Sequence, residues 1–202
     1  MLNDLVKRCA PLPSDATLCI LGAGFSGGHL AKLSKALGTR VICTRRRPES
    51  GSDDQAFDSA NGILPGHEVL ASVTHLISTI PPNKEGTDPV LTCLGEQLQK
   101  LPLQWVGYFS TTGVYGNSNG NWVDETHEPQ PTQLRSQKRL ECEQLWRDSG
   151  LPVQILRLPG IYGPGRSPLA AIHSGNLTPV DQPGQMFCRI HVDDLAGACW
   201  HL

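Results

Sequence analysis

Apolar positions along this chain follow two alternating rhythms. Residues 18–21 (LCIL) form a short apolar run of strand length. The period then becomes helical, with Leu30, Leu33 and Leu37 recurring before Gly38, a plausible C-terminal cap. The alternation repeats down the chain. Residues 41–44 (VICT), 74–80 (THLISTI, closed by Pro81 and Pro82), 104–109 (QWVGYF) and 153–158 (VQILRL) read as strands. Residues 88–98 read as a helix with Val90, Leu91, Leu94 and Leu98 on one side, and residues 134–149 as another, stopped by Gly150. Residues 1–16 form an N-terminal arm or short helix ended by Pro11 and Pro13. Residues 48–66 form a long polar loop with a degraded third strand near Ile63 and Leu64. Residues 117–133 read as a loop over a site, residues 167–187 as irregular, and the segment from 189 as the lead into a short apolar helix. Strands alternating with helices predict an α/β fold, a Rossmann-like doubly wound and mostly parallel sheet.

The first strand-to-helix junction carries chemistry. Gly22-Ala23-Gly24-Phe25-Ser26-Gly27 is GxGxxG after a strand and at the opening of a helix, the context in which that pattern signifies a dinucleotide site. Gly22 serves the tight turn, Gly24 lets a pyrophosphate approach the backbone, and Gly27 lets helix and strand pack closely. The helix N-terminus faces the anion. Residues 17–202 are therefore expected to form one NAD(P)-binding domain.

The end of the second strand bears on the choice of cofactor. An Asp or Glu there holds the ribose 2′-hydroxyl of NAD, whereas arginine accommodates the 2′-phosphate of NADP. This chain has Thr44-Arg45-Arg46-Arg47 and no carboxylate until Glu49. A guanidinium binds phosphate bidentately, so Thr44, Arg45 and Arg46 point to NADP, with NAD as the alternative cofactor and a solvated basic turn as the alternative reading. Thr79, Ile80 and Pro81 end the fourth strand, where a doubly wound sheet places the middle of the cofactor.

Composition narrows the partners. The chain has 202 residues and a formal charge of -2, with 39% apolar and 18% charged residues. That is one domain with no basic footprint for nucleic acid. No apolar run approaches the roughly 20 residues that span a bilayer, and the N-terminus lacks a signal-peptide pattern. Seven scattered cysteines without CxxC spacing argue against a metal site or a disulfide framework. The expectation is a cytoplasmic protein that binds a small-molecule substrate, with no nucleic-acid, membrane or metal partner.

Four motifs stand in order: GAGFSG (22–27), FSTTGVYG (109–116), LRLPGIYGPG (156–165) and RIHVDDLAGA (189–198). Together they resemble the extended short-chain dehydrogenase/reductases, in the NAD(P)-dependent nucleotide-sugar epimerase/dehydratase branch, over nearly the whole chain from Thr17. The resemblance implies that Thr111, four residues before Tyr115, is the catalytic Ser/Thr. It also implies that Leu158, Pro159 and Gly160 border the nicotinamide ribose, and that His191–Asp194 are largely structural. Family members often dimerise through sheet-flanking helices, so a homodimer is a candidate assembly. They usually continue past HVDD, so the C-terminal substrate lobe is expected to be largely absent, with partial segments at 117–133 and 163–187.

One family element does not carry over. Its proton-transferring pair is YxxxK on a helix, and aligning LECE (140–143) with the family's usual sequence puts Arg135 at the tyrosine and Arg139 at the lysine. The neighbouring register gives Leu134 and Lys138. Arg135, Arg139, Cys142 and Trp146 share one helical stripe, which turns both arginines toward the cleft, unless the helix is rotated and both are solvated. Arginine binds phosphate or carboxylate but is no base near neutral pH. Thr111 then orients a substrate oxygen and Tyr115 is the nearest phenol to stand in, against its usual packing role. His127 and His173 are further proton donors by type, or else solvated loop residues, and Tyr162 reads as structural. The pattern is similar to the atypical short-chain dehydrogenase/reductases, some of which are enzymes and some of which only bind or sense NADP. A non-catalytic, redox-sensing protein is therefore the second reading.

Overall fold

A computed structural model describes residues 2–175 and 186–202. Six parallel strands make the main sheet: β1 (Thr17–Leu21), β2 (Arg40–Arg45), β3 (Gln55–Ala56), β4 (His75–Ser78), β5 (Trp105–Thr111) and β6 (Val153–Leu158). Their order is β3-β2-β1-β4-β5-β6, the doubly wound order whose reversal between β1 and β4 opens a crevice at the carboxyl ends of the strands. All five residues of β1 are buried, as a central strand covered on both faces requires.

Alternation along β1 sends Leu18 and Ile20 to one face and Cys19 and Leu21 to the other. On the first face they join Leu30 and Leu33 of α2 (Phe25–Ala36) and Leu195 and Cys199 of α7 (Val192–Trp200). On the second they join Val90, Leu94 and Leu98 of α4 (Pro89–Leu98) and Cys142 and Trp146 of α5 (Leu134–Arg147). The chain leaves α2 through Gly38 at φ +80°, where Gly38 N donates to Lys35 O and Thr39 N to Ser34 O, the paired bonds of a Schellman cap. The N-terminal segment forms α1 (Leu2–Arg8) and packs Leu5 and Val6 on the first core.

The remaining elements are α3 (His67–Leu70), α6 (Pro168–His173) and a two-stranded parallel sheet of β7 (Gly160–Tyr162) and β8 (Arg189–His191). Two expectations need correction. The third strand is Gln55–Ala56, paired with Thr44 and Arg45, not the stretch at Ile63 and Leu64. Phe57 supplies the buried apolar group there, while Ile63 and Leu64 are exposed beyond an isolated bridge to Asp58. Residues 167–187 are not uniformly irregular, because Ser167 caps α6 by accepting from Ala170 N, while residues 176–185 lie outside the described residues. Among the described residues no helix is long and apolar enough to cross a membrane.

Candidate active site

The glycine loop is fixed by two threonines. Gly22 sits at φ +90°, its N–H donates to Thr44 Oγ1 at 3.0 Å, and its carbonyl accepts from Thr79 Oγ1 at 2.5 Å. Ala23 N donates to Thr44 O at 2.7 Å. Thr44 and Thr79 thus hold the loop in shape at the edge of the crevice. The three glycines differ in what forbids a side chain. A Cβ on Gly22 would come within 2.8 Å of Ile80 and Thr79, and one on Gly27 within 2.7 Å of the Gly22 carbonyl. A Cβ on Gly24 would meet nothing nearer than 4.0 Å. No packing within the protein explains Gly24, and its open face is where a ligand would approach. Gly24 also caps α2 without a side-chain hydrogen bond, and the first turn carries no acidic residue. Its free N–H groups and positive dipole end suit an anion.

One cleft of about 2610 Å³ runs from this loop across the ends of β2, β4, β5 and β6, more than the roughly 300–1,000 Å³ of an ordinary small-ligand pocket. It has room for a dinucleotide and a second molecule. Every residue singled out for the cofactor lines it except Gly27, whose task is packing, and so do Thr111, Tyr115, Arg135 and Arg139. His127, His173 and Tyr162 do not. His127 is exposed and bonded to Asp124, His173 is exposed and bonded to Leu169 O, and Tyr162 packs edge-on against His191.

At the β2 end of the cleft, Arg46 is exposed and Arg45 is half-buried, with Nε donating to Asp54 Oδ2 at 2.5 Å. Asp54 lies in the segment leading into β3, so the fold brings a carboxylate to a turn that contains none in sequence.

At the far end, Thr111 Oγ1 accepts from Gly113 N at 3.1 Å, capping a short 3-10 helix over Thr112–Tyr115 and leaving its own proton free to donate. The stripe on α5 divides. Cys142 and Trp146 are buried, and Arg139 turns inward, where Nη1 donates to Phe109 O at 2.7 Å and to Tyr108 Oη at 3.2 Å. Arg135 stays exposed at the rim, bonded to Gln133 Oε1. Arg139 thus meets a carbonyl and a phenol rather than an anionic protein group.

Beneath these residues lies a buried polar group that the helical stripe does not include. Glu143 is fully buried and grips Arg157, Nη2 to Oε2 at 2.8 Å and Nε to Oε1 and Oε2 at 3.1 and 3.2 Å. It also accepts from Ser110 Oγ at 2.5 Å. The hydrogen bond from Arg157 to Glu143 pushes the arginine pKa further up. Arg157 then covers the Tyr115 ring, 4.8 Å from its centroid. The available signal was spacing: Glu143 follows Arg139 by one helical turn, and Arg157 stands in the LRLPG motif.

Fold and cleft together define a Rossmann-like α/β protein with a glycine-loop cleft at the carboxyl ends of its strands. No family model matches the chain, and no curated protein matches it. Among solved structures, a conserved protein of unknown function from Silicibacter pomeroyi is 39% identical with a TM-score of 0.80, over 91% of this chain and 66% of that one. A protein from Methylobacillus flagellatus, provisionally named an NAD-dependent epimerase/dehydratase, is 31% identical with a TM-score of 0.73, over 94% of this chain and 70% of that one. The chain belongs to the NAD-dependent epimerase/dehydratase family. UDP-glucuronic acid 4-epimerase from Bacillus cereus, in complex with NAD, is 22% identical and shares the fold, with a TM-score of 0.62 over 78% of this chain and 60% of that one. The chain spans about two thirds of the length of the first two structures.

Proposed function

We propose that this chain binds a nicotinamide dinucleotide, NADP in preference to NAD, and acts on a small polar substrate of the sugar-nucleotide class as an epimerase/dehydratase-like protein or oxidoreductase. The observation that carries the cofactor reading is the open face of Gly24, a glycine that internal packing does not require, at the mouth of the shared cleft. When bound, the cofactor supplies hydride transfer. The protein's own residues do the rest. The N-terminus of α2 receives the pyrophosphate, and Arg45 and Arg46 receive the 2′-phosphate. Asp54 occupies only Nε of Arg45, leaving the two terminal nitrogens for a ligand. Thr111 offers a hydroxyl proton to a substrate oxygen, Tyr115 is the phenol nearest to it in sequence, and Arg139 presents a cation to an anionic substrate group. The epimerase bound to NAD supports the cofactor class by its fold, and the family relation supports the reaction class.

A second reading rests on a specific observation: α5 contains no tyrosine and carries arginines at 135 and 139. Arginine stays protonated at neutral pH and abstracts no proton, which favours cofactor binding without turnover. Calorimetric titration with NADP and NAD, followed by absorbance of the reduced nicotinamide against alcohols, ketones and sugar nucleotides, separates the readings. Arg45→Gln and Arg46→Gln are expected to weaken NADP about tenfold each while changing NAD little, the loss of a charge-assisted phosphate contact. A wild-type preference for NAD by more than about tenfold would overturn the NADP assignment. Tight binding with no turnover across the panel would favour the non-catalytic reading.

A further inference from the structure

We infer that Arg166 is a clamp for the cofactor's diphosphate, closing over the glycine loop from a separate part of the chain; the inference rests on the dinucleotide reading above. Arg166 belongs to none of the glycine-loop or strand-end residues that the fingerprint identifies. It lies in the turn after β7, where Gly163 N donates to Arg166 O and Arg166 N to Gly163 O, both at 2.9 Å. This two-bond turn is seated directly on the loop. A Cβ on Gly163 would come within 3.3 Å of the Phe25 ring and 2.6 Å of Val192, so the backbone is pressed against the first residue of α2.

From that seat the Arg166 guanidinium lies 5.2 Å from the centroid of Phe25. Phe25 is the N1 residue of α2, and Gly24, Phe25, Ser26 and Arg166 all line the cleft. Among the described residues no carboxylate lies within ion-pair distance of Arg166, in contrast to Arg45, Arg147 and Arg157, which are all paired. A guanidinium stacked on an aromatic face keeps its edge donors free and has its plane oriented. The glycine loop supplies N–H groups and a partial dipole charge but no full positive charge, whereas a diphosphate brings two negative ones. Arg166 provides a fork-shaped cation at the helix end where that charge would rest, and bidentate phosphate recognition is what the geometry suits.

The test is calorimetric titration of the full chain with ADP, adenosine and NADP, at low and raised salt. Wild type is expected to bind ADP more tightly than adenosine. Arg166→Gln should weaken ADP and NADP about tenfold, as loss of a charge-assisted phosphate contact does. It should leave adenosine unchanged and reduce the salt dependence of ADP binding. Arg166→Lys should restore part of the loss, because the charge remains while the fork does not. Equal ADP affinity in wild type and Arg166→Gln would overturn the clamp and leave the cofactor reading standing. Equal weakening of all three ligands would assign Arg166 to support of the fold and also overturn the clamp. Failure of wild type to bind ADP or NADP would overturn the cofactor reading, and the clamp with it.

Discussion

The two ends of the cleft are shaped by different means. Around Gly22–Gly27 the site is made of backbone: a left-handed glycine, a helix end without a side-chain cap, and two threonine hydroxyls bonded to main chain. Around β5, β6 and α5 it is made of side chains, with Glu143 gripping Arg157 and Ser110, Arg157 covering Tyr115, and Arg139 tied to Phe109 O. A backbone site tolerates few residue types and repeats the same short pattern wherever it occurs. A side-chain site of the same shape can be assembled from many combinations. The first end therefore matches a common fingerprint residue for residue, while the second carries arginines and no tyrosine on α5.

The largest expected effect comes from the side-chain end. Glu143→Ala removes the fully buried carboxylate that accepts from Ser110, Arg147 and Arg157, and leaves the part-buried Arg157 guanidinium without its anionic partner. Urea unfolding should register a loss of about 3–5 kcal/mol. Replacing both Glu143 and Arg157 by leucine should cost less than Glu143→Ala alone, because no charge is then stranded. A loss below about 1 kcal/mol in Glu143→Ala would mean that the pair behaves as a surface salt bridge.

At the backbone end, two neighbouring glycines should respond in opposite ways. Gly27→Ala drives a Cβ toward the Gly22 carbonyl at 2.7 Å, an overpacking expected to cost about 1–3 kcal/mol of stability. Gly24→Ser places a good N-cap residue in open space and should leave stability within about 0.5 kcal/mol. Its side chain would occupy the approach to the helix end, so dinucleotide affinity should fall at least about tenfold, by calorimetry. If Gly24→Ser bound the dinucleotide as wild type does, the open face of Gly24 would have lost its explanation.

This contrast also accounts for what was readable before the structure. Residues 18–21 declared themselves as a strand because a central strand of a parallel sheet, buried on both faces, demands a continuous apolar run. The third strand escaped because it is two residues long, Gln55 and Ala56, and owes its place to pairing with Thr44 and Arg45 rather than to any pattern of its own. The glycine loop was legible because spacing records the tight turn at Gly22 and the close helix–strand packing at Gly27. Asp54 beside Arg45 was not, since the two stand nine positions apart across irregular chain and only the fold brings them together. The helical stripe located Cys142 and Trp146 correctly but treated Arg135 and Arg139 alike. One more turn toward the helix start leaves Arg135 at the rim, with Gln133 as its nearest partner.

The smallest effect expected is a slope rather than a loss, and it probes how the side-chain end is tied to its neighbour. Asp88 caps α4 by accepting from Val90 N and Leu91 N at 2.9 and 3.0 Å, and it accepts from Trp146 Nε1 of α5 at 2.9 Å. Burial pushes its carboxyl above the ordinary aspartate value, outweighing the donors that favour the ionised form. The sign follows from linkage. Below the ordinary value of about 3.9 both folded and unfolded chains carry the proton. As pH rises, the unfolded chain ionises first, so the contribution of Asp88 to stability declines until the folded carboxyl also ionises, and is flat above that. Asparagine keeps an N-cap acceptor without titrating. Unfolding free energies of wild type and Asp88→Asn, measured together from pH 4 upward, should therefore differ by an amount that moves against wild type as pH rises. A difference that moves in favour of wild type would show that the three donors, and not burial, govern this carboxylate. The joint between α4 and α5 would then be held by a stabilised anion.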